Sequence, residues 1–105
     1  MSQLLNDNKP FLLMILDTSK DQASAIIDTI TPNQVRVISE IVSNLLELPV
    51  SKETKSRLTS KQNLFMKLAS KRASINAKRK LITKNYKHIL LTLWTVKDQL
   101  KKLLT

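Results

Sequence analysis

The sequence predicts an all-α protein, a small four- to five-helix bundle with a long C-terminal heptad-patterned helix. Its 105 residues include no glycine and three prolines, and each proline adjoins a segment in which apolar residues recur at helical spacing. Alternation of apolar and polar residues never persists for the length of a strand. Because a chain of this length has room for one modest core, we expect a single domain over residues 1–105.

The first two helices follow from an apolar cluster and a capping motif. Residues 11–16 are all apolar, so a helix that starts near Pro10 should be covered on every face. Ser19 and Gln22 have the spacing of a capping box, in which both side chains accept hydrogen bonds from backbone N–H groups. We expect them to open a second helix that runs to about Ile30.

The third helix has the clearest start and stop. Thr31, Pro32 and Gln34 supply an N-cap, a proline in the first turn and a capping glutamine, all in register. Pro49 then ends the helix. Between these points the apolar residues recur at three- and four-residue spacing, which predicts one buried face: Val35, Ile38, Val42 and Leu45.

Two further helices are predicted in the second half of the chain. Ser51 can cap one that either runs to about Ala69 or breaks near residues 59–60, and residues 70–74 then form a short connection. Ser74 can cap a last helix that reaches the C-terminus, because large apolar residues repeat there at heptad spacing. That pattern suits either an internal seam of the bundle or a coiled-coil contact between copies. Its members are Ile82, Tyr86, Ile89, Leu93, Val96, Leu100 and Leu103.

Charge divides the chain into an acidic half and a basic half. Residues 1–50 carry three Lys or Arg against six Asp or Glu, a net charge of −3. Residues 51–105 carry fifteen Lys or Arg against two acids, a net charge of +13. Such an asymmetry indicates a polyanionic partner, which is either nucleic acid or an anionic membrane surface.

The basic residues are arranged for contact with phosphate. Lys80, Lys84 and Lys87 share one helix face, almost opposite the heptad seam. Lysine outnumbers arginine by twelve to three in the basic half, and lysine lacks the two-pronged geometry with which arginine recognises guanine. We therefore expect largely sequence-nonspecific binding through the phosphate backbone of a nucleic acid. We expect DNA before RNA as the partner, and no base-reading motif separates the two. The candidate nucleic-acid-binding residues are Lys52, Lys55, Arg57, Lys61, Lys67, Lys71, Arg72, Lys78, Arg79, Lys80, Lys84 and Lys87.

No motif for catalysis or for a cofactor is found. The chain has no cysteine, and its single histidine, His88, lacks neighbouring carboxylates that could act as co-ligands or orient it as a base. Without glycine there is no phosphate-cradling loop. We expect no enzymatic activity, metal, cofactor or small-molecule substrate. The apolar run at 11–16 is too short for a secretory signal, and the longest uncharged apolar stretch elsewhere, at 89–96, is too short for a membrane span, so we expect an intracellular protein.

Leu90, Leu91 and Trp94 lie beside the heptad seam and exceed what a minimal core needs. They belong either to a wide buried stripe or to an exposed patch that binds a partner or a second copy. The second interpretation makes the protein a helical interaction adaptor, which binds a partner protein or assembles as a homo-oligomer. A third hypothesis places the basic amphipathic C-terminal helix on an anionic membrane surface.

Short motifs between residues 31 and 82 add a resemblance. They are Thr31-Pro32-x-Gln34, Pro49-x-Ser51, Leu64-x-x-x-Leu68-Ala69-Ser70-Lys71-Arg72-x-Ser74 and Lys78-Arg79-Lys80-Leu81. In these motifs the chain resembles small basic proteins of Polinton (Maverick) transposons and adintovirus-like DNA viruses, which are regarded as histone-like or virion-core components. The resemblance implies that the basic residues from Lys52 to Lys80 bind nucleic acid, and that the protein acts in the host nucleus or the virion. Proteins of that family often continue into a Gly-Gly pair and an apolar tail, whereas this chain has a heptad-patterned helix.

Overall fold

Helices account for all the regular secondary structure in the computed structural model, which describes residues 3–104 except the side chains of Lys20 and Leu104. The all-α class is confirmed, but these residues form eight helices rather than four to five. One additional helix precedes the first predicted helix, which was expected to start near Pro10, and the others arise where predicted helices break. The helices are α1 (Gln3–Asp7), α2 (Lys9–Asp17), α3 (Lys20–Asp28), α4 (Pro32–Glu47), α5 (Lys52–Ser60), α6 (Gln62–Ala69), α7 (Ile75–Thr95) and α8 (Lys97–Leu104).

The predicted helix starts agree with the side-chain caps. At α4 the capping box is complete, since Thr31 Oγ1 accepts from the backbone N–H of Gln34 (3.2 Å) and Gln34 Oε1 accepts from that of Thr31 (3.0 Å). At α3 only half of the box forms. Ser19 Oγ accepts from the N–H of Gln22 (3.2 Å), while the amide oxygen of Gln22 lies 3.5 Å from the Thr18 hydroxyl.

Two asparagines break helices by the same device. Asn8 separates α1 from α2, and Asn85 kinks α7, and both have φ and ψ angles outside the helical range. Each side-chain amide donates a 2.9 Å hydrogen bond to the carbonyl four residues earlier, on Leu4 and Leu81 respectively. That carbonyl would otherwise accept the backbone N–H of the asparagine, so the side chain competes directly with the helix.

The last predicted helix is also interrupted near its end. Ser74 caps α7 as expected, but this helix ends at Thr95, and α8 begins at Lys97 after a bend at Val96 (φ −115°, ψ 18°). The expectation of one helix from Ser74 to the C-terminus is therefore wrong. The predicted fourth helix takes the second of its two alternatives, because Lys61 separates α5 from α6.

The central helix of the bundle is α7, which packs against α2, α3, α4, α5 and α6. Ile82, Ile89 and Leu93 of the heptad pattern are at most 1% exposed, whereas Leu103 near the end of α8 is 63% exposed. The buried part of the pattern is thus an internal seam of the bundle and is not available for a coiled coil between copies.

Within the described residues, no helix is both long and apolar enough to cross a membrane.

Candidate nucleic-acid interface

The helices α5 and α6 run antiparallel to α7, and two hydrogen-bonded junctions set their alignment. At one end, Thr54 Oγ1 lies 2.7 Å from Thr95 Oγ1. At the other end, Ser39 Oγ of α4 donates to the carbonyl oxygen of Leu68 (2.5 Å) and accepts from Lys78 Nζ (2.8 Å). Residues 52–95 therefore form a helical hairpin, which we call the basic hairpin.

Both sides of the basic hairpin are broken at about the same level. Lys61 breaks the α5–α6 side seven residues before Leu68, and Asn85 kinks α7 seven residues after Lys78. Leu68 and Lys78 share the junction at Ser39. The two breaks therefore lie at the same distance in sequence from the shared junction, and the connection at residues 70–74 forms the tip of the hairpin.

The basic hairpin contains all twelve basic residues predicted to bind nucleic acid, and only one acid, Glu53. Arg57 and Arg79 are partly buried, and each has a covered Nε atom without a hydrogen-bond partner among the described residues. Lys78 is buried. The other nine are exposed: Lys52, Lys55, Lys61, Lys67, Lys71, Arg72, Lys80, Lys84 and Lys87. The fold thus brings these nine cations to the surface of one hairpin.

No ion pair between described side chains neutralises the charge of this surface. Among the described side chains, the ion pairs join Asp17 of α2 to Lys97 (3.5 Å) and Lys101 (2.5 Å) of α8. The hydrogen bond from Lys101 is the main reason why the pKa of Asp17 lies below its ordinary value. Both lysines are outside the basic hairpin, whose exposed cations remain available to an external anion.

Lys78 differs from its neighbours and corrects the sequence prediction. It was expected to extend the exposed patch, but it is only 7% exposed, and its Nζ points to Ser39. Burial of the ammonium group lowers the pKa of Lys78. Lys78 is therefore a structural residue beneath the basic surface, and a nucleic acid cannot contact it while the fold is intact.

Ser39 was not recognised from the sequence, although a signal for it exists. It lies four residues after Val35 and three before Val42, on the predicted buried face of α4. A hydroxyl at such a position needs a hydrogen-bond partner in the core. The pattern predicts that a partner exists, but it does not identify Leu68 or Lys78.

The predicted partner-contact residues are also corrected. Leu90 is 2% exposed and belongs to the core. Leu91 and Trp94 are partly buried, and Trp94 Nε1 donates a 3.1 Å hydrogen bond to the carbonyl oxygen of Ile15 in α2. The alternative of a wide buried stripe therefore describes these residues better than an exposed patch.

An apolar groove of about 300 Å³ lies at the opposite end of the basic hairpin from its tip. Thr54 and Val96 contribute to its wall, together with Leu48, Leu100 and Leu103. No Lys, Arg, Asp, Glu or His lines it.

The described residues also contain no group of three or more His, Asp or Glu side chains that could hold a metal ion.

No protein-family model matches the chain, and neither a curated protein nor a solved structure is significantly similar to it.

Proposed function

We propose that the protein binds nucleic acid, in the first place DNA, without marked sequence specificity, and that it coats or condenses it. The observation that carries this proposal is the set of nine exposed, unneutralised Lys and Arg side chains on the basic hairpin. Cations of this kind gain binding free energy by displacing counterions from the phosphate backbone. Eight of the nine are lysines, which favours phosphate contacts over base recognition.

The dimensions of the molecule suit a short binding site. The bundle measures 32 × 31 × 29 Å between its outermost Cα atoms. Since DNA rises 3.4 Å per base pair, one molecule covers about nine base pairs. Coating a longer duplex therefore requires many copies, and the net charge of +10 on each copy would offset about half of the charge of the phosphates that it covers.

The resemblance to basic proteins of Polinton transposons and adintovirus-like viruses supports the same function and adds a setting. In that setting the protein is a histone-like or virion-core component that acts in the host nucleus or the virion. Self-association would strengthen coating by raising the effective concentration of binding sites.

The two alternative functions have less structural support. An adaptor that uses Leu90, Leu91 and Trp94 would need residues that the bundle covers or partly covers. A membrane-surface helix would need the apolar face of α7, but Ile82 and Ile89 are buried in the core. Either function would require part of the bundle to open.

The test is the affinity of the protein for a fluorescent DNA duplex and an RNA of equal length over a series of salt concentrations. We expect a log–log slope of about −4 or steeper and little dependence on sequence. Absence of binding at about 50 mM salt, where the phosphate contribution is large, would refute the proposal. Liposomes with and without anionic lipid, tested in parallel, measure the membrane alternative.

A further inference from the structure

The tip of the basic hairpin contains an unusual serine. Ser74 is exposed and follows two exposed cations, Lys71 and Arg72, at three and two positions before it, while the apolar Ile75 comes directly after it. No other serine or threonine in the chain has basic residues at both of these upstream positions. The tip thus combines an accessible hydroxyl with a defined pattern of charge.

Ser74 can be compared with two other serines in the same local geometry. Ser19, Ser51 and Ser74 all precede a helix with an extended backbone, and all are exposed. Their Oγ atoms accept from the backbone N–H three residues later at 3.2, 3.2 and 3.1 Å. Neither Ser19 nor Ser51 has a basic residue among the three preceding positions. The difference between the three sites is therefore the charge upstream of the hydroxyl.

Serines elsewhere with a single upstream cation are presented differently. Ser60 has Arg57 three residues before it, but it lies within α5 and donates its hydroxyl proton to the Arg57 carbonyl (2.9 Å). Ser39 follows Arg36 at the same distance but is buried. Ser70 follows Lys67 and is partly buried. Ser74 is the serine with two cations, an exposed side chain and an extended backbone.

We infer that Ser74 is a phosphorylation site for a basophilic serine kinase, and that its phosphorylation weakens nucleic-acid binding by the basic hairpin. Kinases of this class select substrates by charge, using acidic side chains that bind cations before the serine, and some also accept an apolar residue after it. In the reaction, Ser74 Oγ attacks the γ-phosphorus of a nucleoside triphosphate. The new O–P bond replaces the bond to the leaving nucleoside diphosphate, and the hydroxyl proton passes to the catalytic aspartate of the kinase.

Access to the site needs only a local opening. A kinase binds its substrate in an extended form. Ser74 (φ −69°, ψ 159°) is already extended, whereas residues 71–73 form a bend that must straighten. Ile75 and Asn76 occupy the first turn of α7, and Ile75 is only partly buried. The ends of helices open at much lower cost than their middles, so this turn can unwind while the bundle stays folded.

The effect of the phosphate follows from its position and depends on the proposed function. A phosphoserine carries a charge of about −2 at neutral pH, which would stand beside Lys71 and Arg72 at the tip. It would neutralise cations of the interface and repel the phosphates of a nucleic acid. Negative charge is favourable at a helix N-terminus, so the modification should leave α7 intact.

The first experiment tests the site and does not involve nucleic acid. The full chain is incubated with magnesium ATP and the catalytic subunit of cAMP-dependent protein kinase, a basophilic kinase, and phosphates are counted and located by mass spectrometry. We expect one phosphate, absent in Ser74→Asn and retained in the matched variant Ser51→Asn. Asparagine keeps the capping function in both variants. The double variant Lys71→Ala/Arg72→Ala should react at least about tenfold more slowly.

An intact chain that takes up no phosphate, or a Ser74→Asn variant that takes up as much as the unaltered protein, would overturn the assignment. Circular dichroism of each variant verifies that it is folded. If the variants are folded and the pattern holds, the upstream cations direct the kinase to Ser74.

The second experiment measures DNA affinity before and after phosphorylation. At about 50 mM salt we expect phosphorylation to weaken binding about tenfold or more, and to make the log–log salt slope less steep by about two. Equal affinity of the two forms would overturn the regulatory role. If the unmodified protein does not bind DNA, the proposed function and this regulation both fail, while a phosphate on Ser74 still establishes the modification site.

Discussion

Lys78 donates a hydrogen bond from its Nζ to Ser39 Oγ across 2.8 Å, in the contact between α7 and α4. The same oxygen donates its proton to the carbonyl of Leu68, in the last turn of α6. That carbonyl has no acceptor role within its own helix, because the last turn of a helix lacks following N–H groups. One hydroxyl therefore satisfies a buried ammonium and a helix end, and it holds three helices together.

Replacing Ser39 by alanine should reduce the free energy of unfolding by about 1–3 kcal/mol, because two buried polar groups lose their partner. Urea denaturation followed by circular dichroism measures the change. Ser43→Ala, one turn further along α4, is the matched control, and it should change stability by less than about 0.5 kcal/mol. Equal effects of the two substitutions would show that the Ser39 hydroxyl has no special role.

The stability of the protein should rise at alkaline pH because of Lys78. Burial lowers the pKa of Lys78 from its ordinary value of 10.5. Between the lowered pKa and 10.5, the unfolded chain binds more protons at this residue than the folded one, so the free energy of unfolding rises as pH rises through this window. Denaturation at a series of pH values measures the rise.

Lys78→Met is the control for this prediction, because methionine keeps the apolar part of the side chain and does not titrate. The general loss of positive charge at high pH stabilises both proteins equally. The difference in stability between them should therefore change with pH across the window and be constant below it. A constant difference over the whole range would contradict the assigned pKa shift.

Trp94→Phe should destabilise the bundle by about 1–2 kcal/mol although it preserves an aromatic ring. The substitution removes the indole N–H that donates to the Ile15 carbonyl across 3.1 Å. In the unaltered protein, the single tryptophan provides the measurement for other variants, since its fluorescence should change when α2 separates from α7. If Trp94→Phe were as stable as the unaltered protein, the hydrogen bond would contribute nothing measurable.

Reversing the charge of Lys80, Lys84 and Lys87 to glutamate should abolish DNA binding at physiological salt, because three exposed cations of the proposed interface would become anions that repel phosphate. The matched control reverses Lys9, Arg36 and Lys102, which lie outside the basic hairpin, and alters the net charge by the same amount. If position matters, the control keeps most of the affinity. Equal losses in the two triple variants would show that only net charge matters and would refute the hairpin as the interface.

Helix starts could be predicted from the sequence because they depend on neighbouring residues. The cap at Thr31 needs only Gln34 and Pro32, and all three are consecutive or nearly so. The kink at Asn85 could not be predicted from the heptad pattern, since the pattern continues through it. Its cause is one asparagine rotamer that binds the Leu81 carbonyl, and an asparagine can equally well remain in a helix with its side chain in solvent.

The candidate site shows the same limit. Exposed lysines such as Lys80 and Lys84 could be placed from helical spacing, because a charged residue opposite an apolar face is normally at the surface. Lys78 lies four residues before Ile82, so the same spacing places it on the side of the heptad seam, and its burial could have been predicted. Its hydrogen-bond partner could not be predicted, because Ser39 is 39 residues away in the chain, and spacing within one helix contains no information on such a contact.

None of the described residues has a positive φ angle, and the chain contains no glycine. Bends between helices use extended backbone at residues such as Thr18 and Leu48, a conformation open to nearly every L-amino acid. Evolution can thus replace most bend residues without steric cost, while the capping hydroxyls remain constrained. Descendants of this chain could drift far apart in sequence and keep the same bundle, identifiable mainly by the spacing of their Ser and Thr caps.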